Sequence, residues 1–172
     1  MLGYLGIGLG EVLDVSGVWA LNLLHFLAVA AIAACLYVSL PEWQARPRSR
    51  SLLLVPPVLA FICVYIMMGF VAPEHREPWL LRGALATGLV LGVIRGFFIK
   101  ADIDEFGLVR LPGASDGLFA TVVITTAMVA ATLAPLVIEQ AATWVPYATS
   151  VAGLGATYLS GRAVVVYLRT RS

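Results

Sequence analysis

Few side chains in this chain of 172 residues are suited to chemistry, and two arginines stand out among them. Arg95 and Arg162 each lie near one end of a long apolar stretch, where a guanidinium group can reach a polar boundary while its stem stays in an apolar medium. Both groups could bind a lipid phosphate or a carboxylate of the connection that carries Asp102, Asp104 and Asp116. The sequence therefore predicts either an ion-pair cluster or simple interfacial anchoring here.

A second polar group lies within an apolar stretch, where Asn22 and His25 are three residues apart on one helix face. One interpretation is a neutral His25 that bonds Asn22 or a neighbouring helix. The alternative is a cofactor ligand, such as one axial ligand of a haem shared with a partner, or a protonation switch. Because the other histidine, His75, lies in a turn, we expect no cofactor bound by this chain alone.

The cysteines and threonines also lie within apolar stretches. Cys35 and Cys63 lack CxxC spacing, which predicts small buried side chains rather than a thiol relay. Polar side chains also form a stripe on one face of the fourth apolar stretch, about residues 117–138. Either these side chains line a polar path, or their hydroxyls bond the backbone of their own helix and the stripe packs against a neighbour. The stripe consists of Thr121, Thr125, Met128 and Thr132.

The acidic turn around Asp102 and Asp104 echoes the start of a calcium loop without completing it. Phe106 occupies a ligand position, and Gly113 stands where the bidentate glutamate belongs. The chain also carries no nucleophile with a base beside it, no glycine-rich phosphate loop and no HExxH pair. We therefore predict no catalytic residue, no metal site and no enzymatic activity.

The composition indicates the medium in which these groups act. Hydrophobic residues make up 60% of the chain and charged residues 12%, against about 25% charged in soluble domains. Five apolar stretches of about 20 residues are each long enough to cross a hydrocarbon core of about 30 Å. The sequence predicts one all-α membrane domain whose helices cover about residues 17–40, 51–72, 79–99, 117–138 and 145–168.

Prolines and polar connections define the helix ends. Pro41 and the loop after it are expected to close the first helix. Pro56 and Pro57 indicate either a second helix that begins at Pro56, with residues 51–55 at the interface, or a kink. Residues before Gly17 are expected to be interfacial or re-entrant, or to extend the first helix. The connection after Lys100 predicts a short hairpin around the DEFG turn.

Basic residues fall on alternate sides of these helices, which predicts the orientation. One side would hold Arg46, Arg48, Arg50, Arg95, Lys100, Arg110, Arg162, Arg169 and Arg171, and the other Arg76 and Arg82. The positive-inside rule then places the amino terminus outside and the carboxyl terminus in the cytoplasm. Ten arginines against one lysine are typical of a GC-rich bacterial genome, so we expect a bacterial inner-membrane protein. A net charge of +1 gives no reason to expect a nucleic-acid partner.

Small residues recur every fourth position on two of the predicted helices. The third predicted helix carries Ala84, Gly88, Gly92 and Gly96, and the fifth carries Ala148, Ala152, Ala156 and Ser160. A neighbouring row of the fifth consists of Gly153, Thr157 and Gly161. Such rows allow helix backbones to approach closely in lipid, so they predict packing surfaces within one chain or between protomers.

Outside the membrane, Arg82 is expected to anchor at head groups or to pair with Glu77 or Glu139.

Residues 84–117 resemble a pattern of the CcdC-like and related small multi-pass bacterial membrane proteins. The shared elements are a glycine-rich helix that ends in Arg95, an acidic turn with Gly107, then Val109, and Pro112-Gly113 before the next helix. The resemblance implies a link to cytochrome c biogenesis, and it carries over no site residue.

Three function classes follow from these features. The first is a non-catalytic accessory subunit or assembly factor of a larger inner-membrane complex, favoured by the small size and the packing surfaces. The second is a small oligomeric transporter or channel, and the third is a haem- or thiol-handling protein that uses His25, Cys35 and Cys63. The expected partners are the lipid bilayer and other membrane subunits or a second copy of the chain.

Overall fold

The computed structural model describes residues 23–43, 46–71, 77–111 and 115–171. Within these ranges, five helical segments are long and apolar enough to cross a membrane, which confirms the predicted all-α membrane fold. The helices are α1 (Leu23–Trp43), α2 (Val55–Met68), α3 (Pro78–Phe98), α4 (Asp116–Val137) and α5 (Val145–Arg171). Short 3-10 helices over Arg50–Leu54 and Glu139–Trp144 lead into α2 and α5. The chain is thus a multi-pass membrane protein.

Three prolines lie at the ends of the first two helices and act differently there. The first helix was expected to close at Pro41 and the loop after it, and α1 continues through Pro41 to Trp43, three residues beyond the expected end at residue 40. Pro41 lies in the last turn, where its missing N–H removes a single backbone hydrogen bond. In α2, Pro56 and Pro57 occupy the first turn, where backbone N–H groups have no partner within the helix. This agrees with a helix that begins near Pro56 and not with a kink.

Helices α1, α2, α4 and α5 form a four-helix bundle, and α3 packs on its outside against α5. In α5, 61% of the most apolar stretch is buried, against 17% in α3. The bundle core consists of small and medium side chains from all four helices, such as Ala28, Ala60, Ile124 and Ala156. Large apolar side chains cover the outside, as expected for contact with lipid.

The predicted hairpin is present between α3 and α4. Strands β1 (Asp102–Ile103) and β2 (Val109–Arg110) pair antiparallel, with Asp102 opposite Arg110. Gly107 has a φ of +71°, a conformation that other residues rarely adopt, and it closes the turn by donating its N–H to the Asp104 carbonyl at 2.8 Å. The hairpin packs on a second apolar cluster formed by Leu53, Ile99, Val109, Leu111 and Val166.

The contact between α3 and α5 brings two helix backbones together. A Cβ added at Gly92 would lie 2.8 Å from the carbonyl carbon and the Cα of Tyr158, and one added at Gly161 would lie 2.7 Å from the Leu89 carbonyl oxygen. Carbon atoms in ordinary contact are about 3.5–4.0 Å apart, so no side chain fits at Gly92 without moving a helix. Because both helices belong to one chain, this contact is intramolecular.

The small-residue rows of α5 face two different neighbours. One row, Gly153, Thr157 and Gly161, faces α3. Gly153 lies beside Leu85, the Thr157 hydroxyl lies beside Gly88, and Gly161 lies beside Leu89. Ala152 and Ala156 are fully buried in the four-helix core instead. Ser160, the last residue of that row, is half-buried, and its hydroxyl donates to the Ala156 carbonyl at 2.9 Å. Ala84, the first residue of the row on α3, is also half-buried.

Candidate functional site

The strongest polar constellation of the described residues gathers around one carboxylate. Asp116, the first residue of α4, accepts a 2.6 Å hydrogen bond from the Tyr158 hydroxyl through Oδ2. The same oxygen accepts from Arg95 Nε at 3.3 Å and forms an ion pair with Arg162 Nε at 3.4 Å. A single oxygen atom therefore joins α3, α4 and α5. We call Arg95, Asp116, Tyr158 and Arg162 the charge cluster.

Burial differs sharply among the charged members of the charge cluster. The Arg162 side chain is 5% exposed and the Asp116 side chain 20%, whereas the Arg95 side chain is 41% exposed. A guanidinium group so far from water requires a counter-charge, because an isolated charge in a low-dielectric medium is strongly destabilised. Asp116 thus neutralises Arg162 inside the bundle, while Arg95 lies at its edge.

The spacing on α5 explains how one helix supplies several polar groups to this end. Tyr158 and Arg162 are four residues apart, so they share a face, and Arg169 follows seven residues later. Arg169 Nη1 donates to the carbonyl oxygens of Gly96, Phe97 and Ile99 at 3.1, 2.8 and 3.1 Å. A cation at these carbonyls caps the carboxyl end of α3 and interacts favourably with the helix dipole.

The structure brings together two residues that the sequence singled out at this end, and it adds two that sequence reasoning missed. Arg95 and Arg162 are brought together, and of the three acids considered for them the structure supplies Asp116. Asp102 and Asp104 are exposed on the hairpin. Tyr158 and the capping by Arg169 were not anticipated, although a polar row at i, i+4 and i+11 of one apolar helix is a signal that could have found them.

The geometry of the charge cluster fits positioning better than reaction chemistry. Each polar contact to Asp116 comes from α3 or α5 and reaches the start of α4, so the carboxylate fixes helix positions. The Arg95 side chain is partly exposed at the bundle edge, and its binding to a lipid phosphate stays a prediction.

The candidate ligand His25 lies at the other end of the bundle. It is near the start of the described part of α1, and its ring packs edge-on against Phe70, with the ring centroids 5.0 Å apart. Asn22, its expected partner, lies outside the described residues. Ser39, near the other end of α1, bonds Thr121, which is five residues from Asp116 on α4. The 14 residues from His25 to Ser39 correspond to about 21 Å along the helix. His25 is therefore remote from the charge cluster.

The two cysteines are neighbours inside the bundle. Cys35 of α1 and Cys63 of α2 are each 1% exposed, and the Cys35 side chain lies within hydrogen-bonding reach of the Cys63 thiol and the Thr121 hydroxyl. Thr121 also forms a 2.9 Å hydrogen bond with Ser39. Sequence reasoning could not find this proximity, because the cysteines are 28 positions apart on different helices.

Three members of the threonine stripe of α4 lie in the core, and Thr125 is half-buried. Thr121 and Met128 are completely buried, and Thr132 is 6% exposed. The Thr121 hydroxyl donates to the Gly117 carbonyl at 3.0 Å, and the Thr132 hydroxyl donates to the Met128 carbonyl at 2.9 Å. These hydroxyls bond their own helix, which is the geometry of packing residues.

Arg82 lies at the end of α3 away from the charge cluster. It is exposed, and together with Glu77 it lines a pocket of about 190 Å³ whose wall includes Leu81 and Pro146. The pairing of Arg82 with Glu77 or an outer head group stays a prediction. Among the described residues, no group of three histidine, cysteine or acidic side chains is arranged to hold a metal ion.

No protein-family model, curated protein or solved structure matches this chain at a significant level. The resemblance of residues 84–117 to the CcdC-like proteins therefore stays a prediction.

Proposed function

We propose that this protein is a non-catalytic accessory subunit or assembly factor of a larger complex in the bacterial inner membrane. The observation that carries the proposal is the filled interior of the bundle, in which polar side chains bond helix backbones of their own chain. Thr149, Ser150 and Thr157 donate to carbonyls one turn earlier at 2.8, 2.9 and 3.0 Å. A bundle of this kind is suited to holding a fixed shape.

The orientation that accompanies this proposal places the charge cluster and the hairpin in the cytoplasm. The arginine count on this side supports it, since basic segments are retained where they are synthesised. The same bundle end carries Arg46, Arg48, Lys100 and Arg110.

Helix α3 offers the surface best suited to a partner. Its glycine face is occupied by α5, whereas its opposite face exposes Val90 and Ile94 at 57% and 48%. An outlying helix can bind a second membrane protein through this face without disturbing the four-helix core.

The test is affinity purification of the tagged protein from its native membrane in mild detergent, with quantitative mass spectrometry. We expect a membrane protein partner in near-stoichiometric amount, lost when Val90→Trp and Ile94→Trp are combined. A matched pair on another exposed face, Val58→Trp with Ile62→Trp, should retain it. Recovery of the chain alone as a homo-oligomer, with ion or solute flux in proteoliposomes, would favour the transporter instead.

A second candidate function is thiol handling, and the proximity of Cys35 and Cys63 favours it. Oxidation of the two thiols to a disulfide would remove two protons and two electrons, which a lipid-soluble quinone could accept. The measurement is the intact mass after quinone treatment in detergent, where formation of the bond lowers the mass by two hydrogens. A Cys35→Ser variant should show no such change, and an unchanged wild-type mass would exclude this candidate.

A further inference from the structure

A groove lies at the bundle end that carries the charge cluster, between the last turns of α1, the loop after it and the 3-10 helix before α2. Its volume is about 490 Å³. Apolar walls are provided by Tyr37, Leu40 and Leu52, which are 76%, 53% and 47% exposed. Arg46 and Arg48 line its other side. The groove is therefore amphipathic and opens to the outside of the bundle.

The basic side of the groove is held in a fixed position by backbone hydrogen bonds. The Arg48 N–H donates to the Val109 carbonyl at 2.9 Å, and the Val109 N–H donates to the Arg48 carbonyl at 2.8 Å. Val109 is itself 1% exposed in the apolar cluster beneath the hairpin. Because this part of the loop is held in place before any ligand arrives, binding loses little conformational entropy there.

The groove lies at one end of two apolar segments that are long enough to cross a membrane. Ser39, between the groove residues Tyr37 and Leu40, bonds Thr121, which is five residues from Asp116 at the start of α4. The apolar walls thus lie on two membrane-spanning segments, with Tyr37 and Leu40 on Leu23–Pro41 and Leu52 on Arg50–Met68, and Arg46 and Arg48 lie in the connection between them. An acyl chain can pack against the apolar walls, and a phosphate can bind the arginines.

We propose that this groove binds one anionic phospholipid of the surrounding bilayer, with its acyl chain along Tyr37, Leu40 and Leu52 and its phosphate at Arg46 and Arg48. Charge complementarity identifies the occupant: two of the eight residues that line the groove are arginines, and none of the eight is an acid. A zwitterionic lipid offers the same chains but carries an ammonium group that the arginines repel. This site is separate from the charge cluster and does not depend on the proposed function.

The experiment is native mass spectrometry of the full chain in detergent micelles, titrated with phosphatidylglycerol or with phosphatidylcholine. We expect about a tenfold preference for phosphatidylglycerol, since each basic residue near a membrane surface attracts anionic lipid. The double variant Arg46→Gln with Arg48→Gln should lose this preference. The matched variant Arg110→Gln with Arg171→Gln removes the same charge from exposed positions at the same end and should retain it.

Leu40→Trp provides an independent test, because it fills the groove without changing the charge. This variant should lower the affinity for phosphatidylglycerol at least severalfold, while its melting temperature in lipid-free detergent stays unchanged. It also tests the site if the double arginine variant fails to fold. Equal loss in both double variants would show attraction by net charge alone and overturn the site. Displacement of phosphatidylglycerol by inorganic phosphate at the same concentration would also overturn it, since the apolar walls would then contribute nothing.

Discussion

Replacement of Gly92 by alanine tests the backbone contact between α3 and α5. The added Cβ would lie 2.8 Å from two backbone carbons of Tyr158, and still closer to its carbonyl oxygen. Ordinary carbon contacts are about 3.5–4.0 Å, so α3 must move outward by about 1 Å. Because the opposing atoms belong to a helix backbone, no side-chain rotation relieves the clash.

The magnitude follows from two opposing effects. Overpacking of a close contact costs about 1–3 kcal/mol, and alanine stabilises a helix interior relative to glycine by about 0.5–1 kcal/mol. We expect Gly92→Ala to lower the free energy of unfolding by up to about 2.5 kcal/mol net, which corresponds to a melting temperature lower by up to about 10 °C for a chain of this size. Movement of α3 would also lengthen the contact between Arg95 and Asp116.

Gly83 provides the matched control on the same helix. A Cβ added there meets nothing within 4 Å, so Gly83→Ala keeps the helix gain without the clash. We expect its melting temperature in detergent to equal or exceed that of the wild type. The assay is thermal unfolding of both variants followed by circular dichroism. Equal melting temperatures for the two variants would refute the assigned contact, since helix propensity alone would then account for both.

Three further substitutions test the charge cluster and the hairpin. Asp116→Asn should lower the free energy of unfolding by about 1–3 kcal/mol because it leaves Arg162 buried beside a neutral group, whereas exposed Asp102→Asn should change it by less than about 0.5 kcal/mol in the same denaturation assay. Tyr158→Phe removes one hydrogen bond to the carboxylate and should cost about 1–2 kcal/mol in wild type but much less in the Asp116→Asn background; an equal cost in both would contradict the 2.6 Å contact. Gly107→Ala should strain the turn by about 1–2 kcal/mol and accelerate amide hydrogen exchange at Val109, and Gly107→Asn should do so less. Unchanged exchange in Gly107→Ala would count against the positive φ.

The helices were predictable because hydropathy depends on local composition. The predicted segment 79–99 and the observed helix Pro78–Phe98 differ by one residue at each end, since Pro78 and the polar residues after Ile99 define those ends in sequence. The helix α1 extends three residues past its expected end at residue 40, because a proline in a last turn removes only one backbone hydrogen bond.

The charge cluster was predictable only in part. Arg95 and Arg162 could be assigned to one depth from their positions, but the choice of Asp116 over Asp102 depends on where the hairpin folds. Which row of α5 meets α3 could not be decided either, because two adjacent rows of small residues satisfy the same spacing rule. Only the tertiary contacts distinguish the row that packs on α3 from the row in the core, and these place Thr157 toward α3 and Ala156 toward the core.

The orientation of the bundle in its membrane is tested most directly by cysteine labelling in spheroplasts, with Cys35 and Cys63 replaced by alanine. Glu105→Cys lies at the exposed hairpin turn and Thr143→Cys at the exposed opposite end of the bundle. A membrane-impermeant maleimide should label Thr143→Cys at once and Glu105→Cys only after lysis. Labelling of Glu105→Cys in intact spheroplasts would contradict the proposed cytoplasmic position of the arginine-rich end.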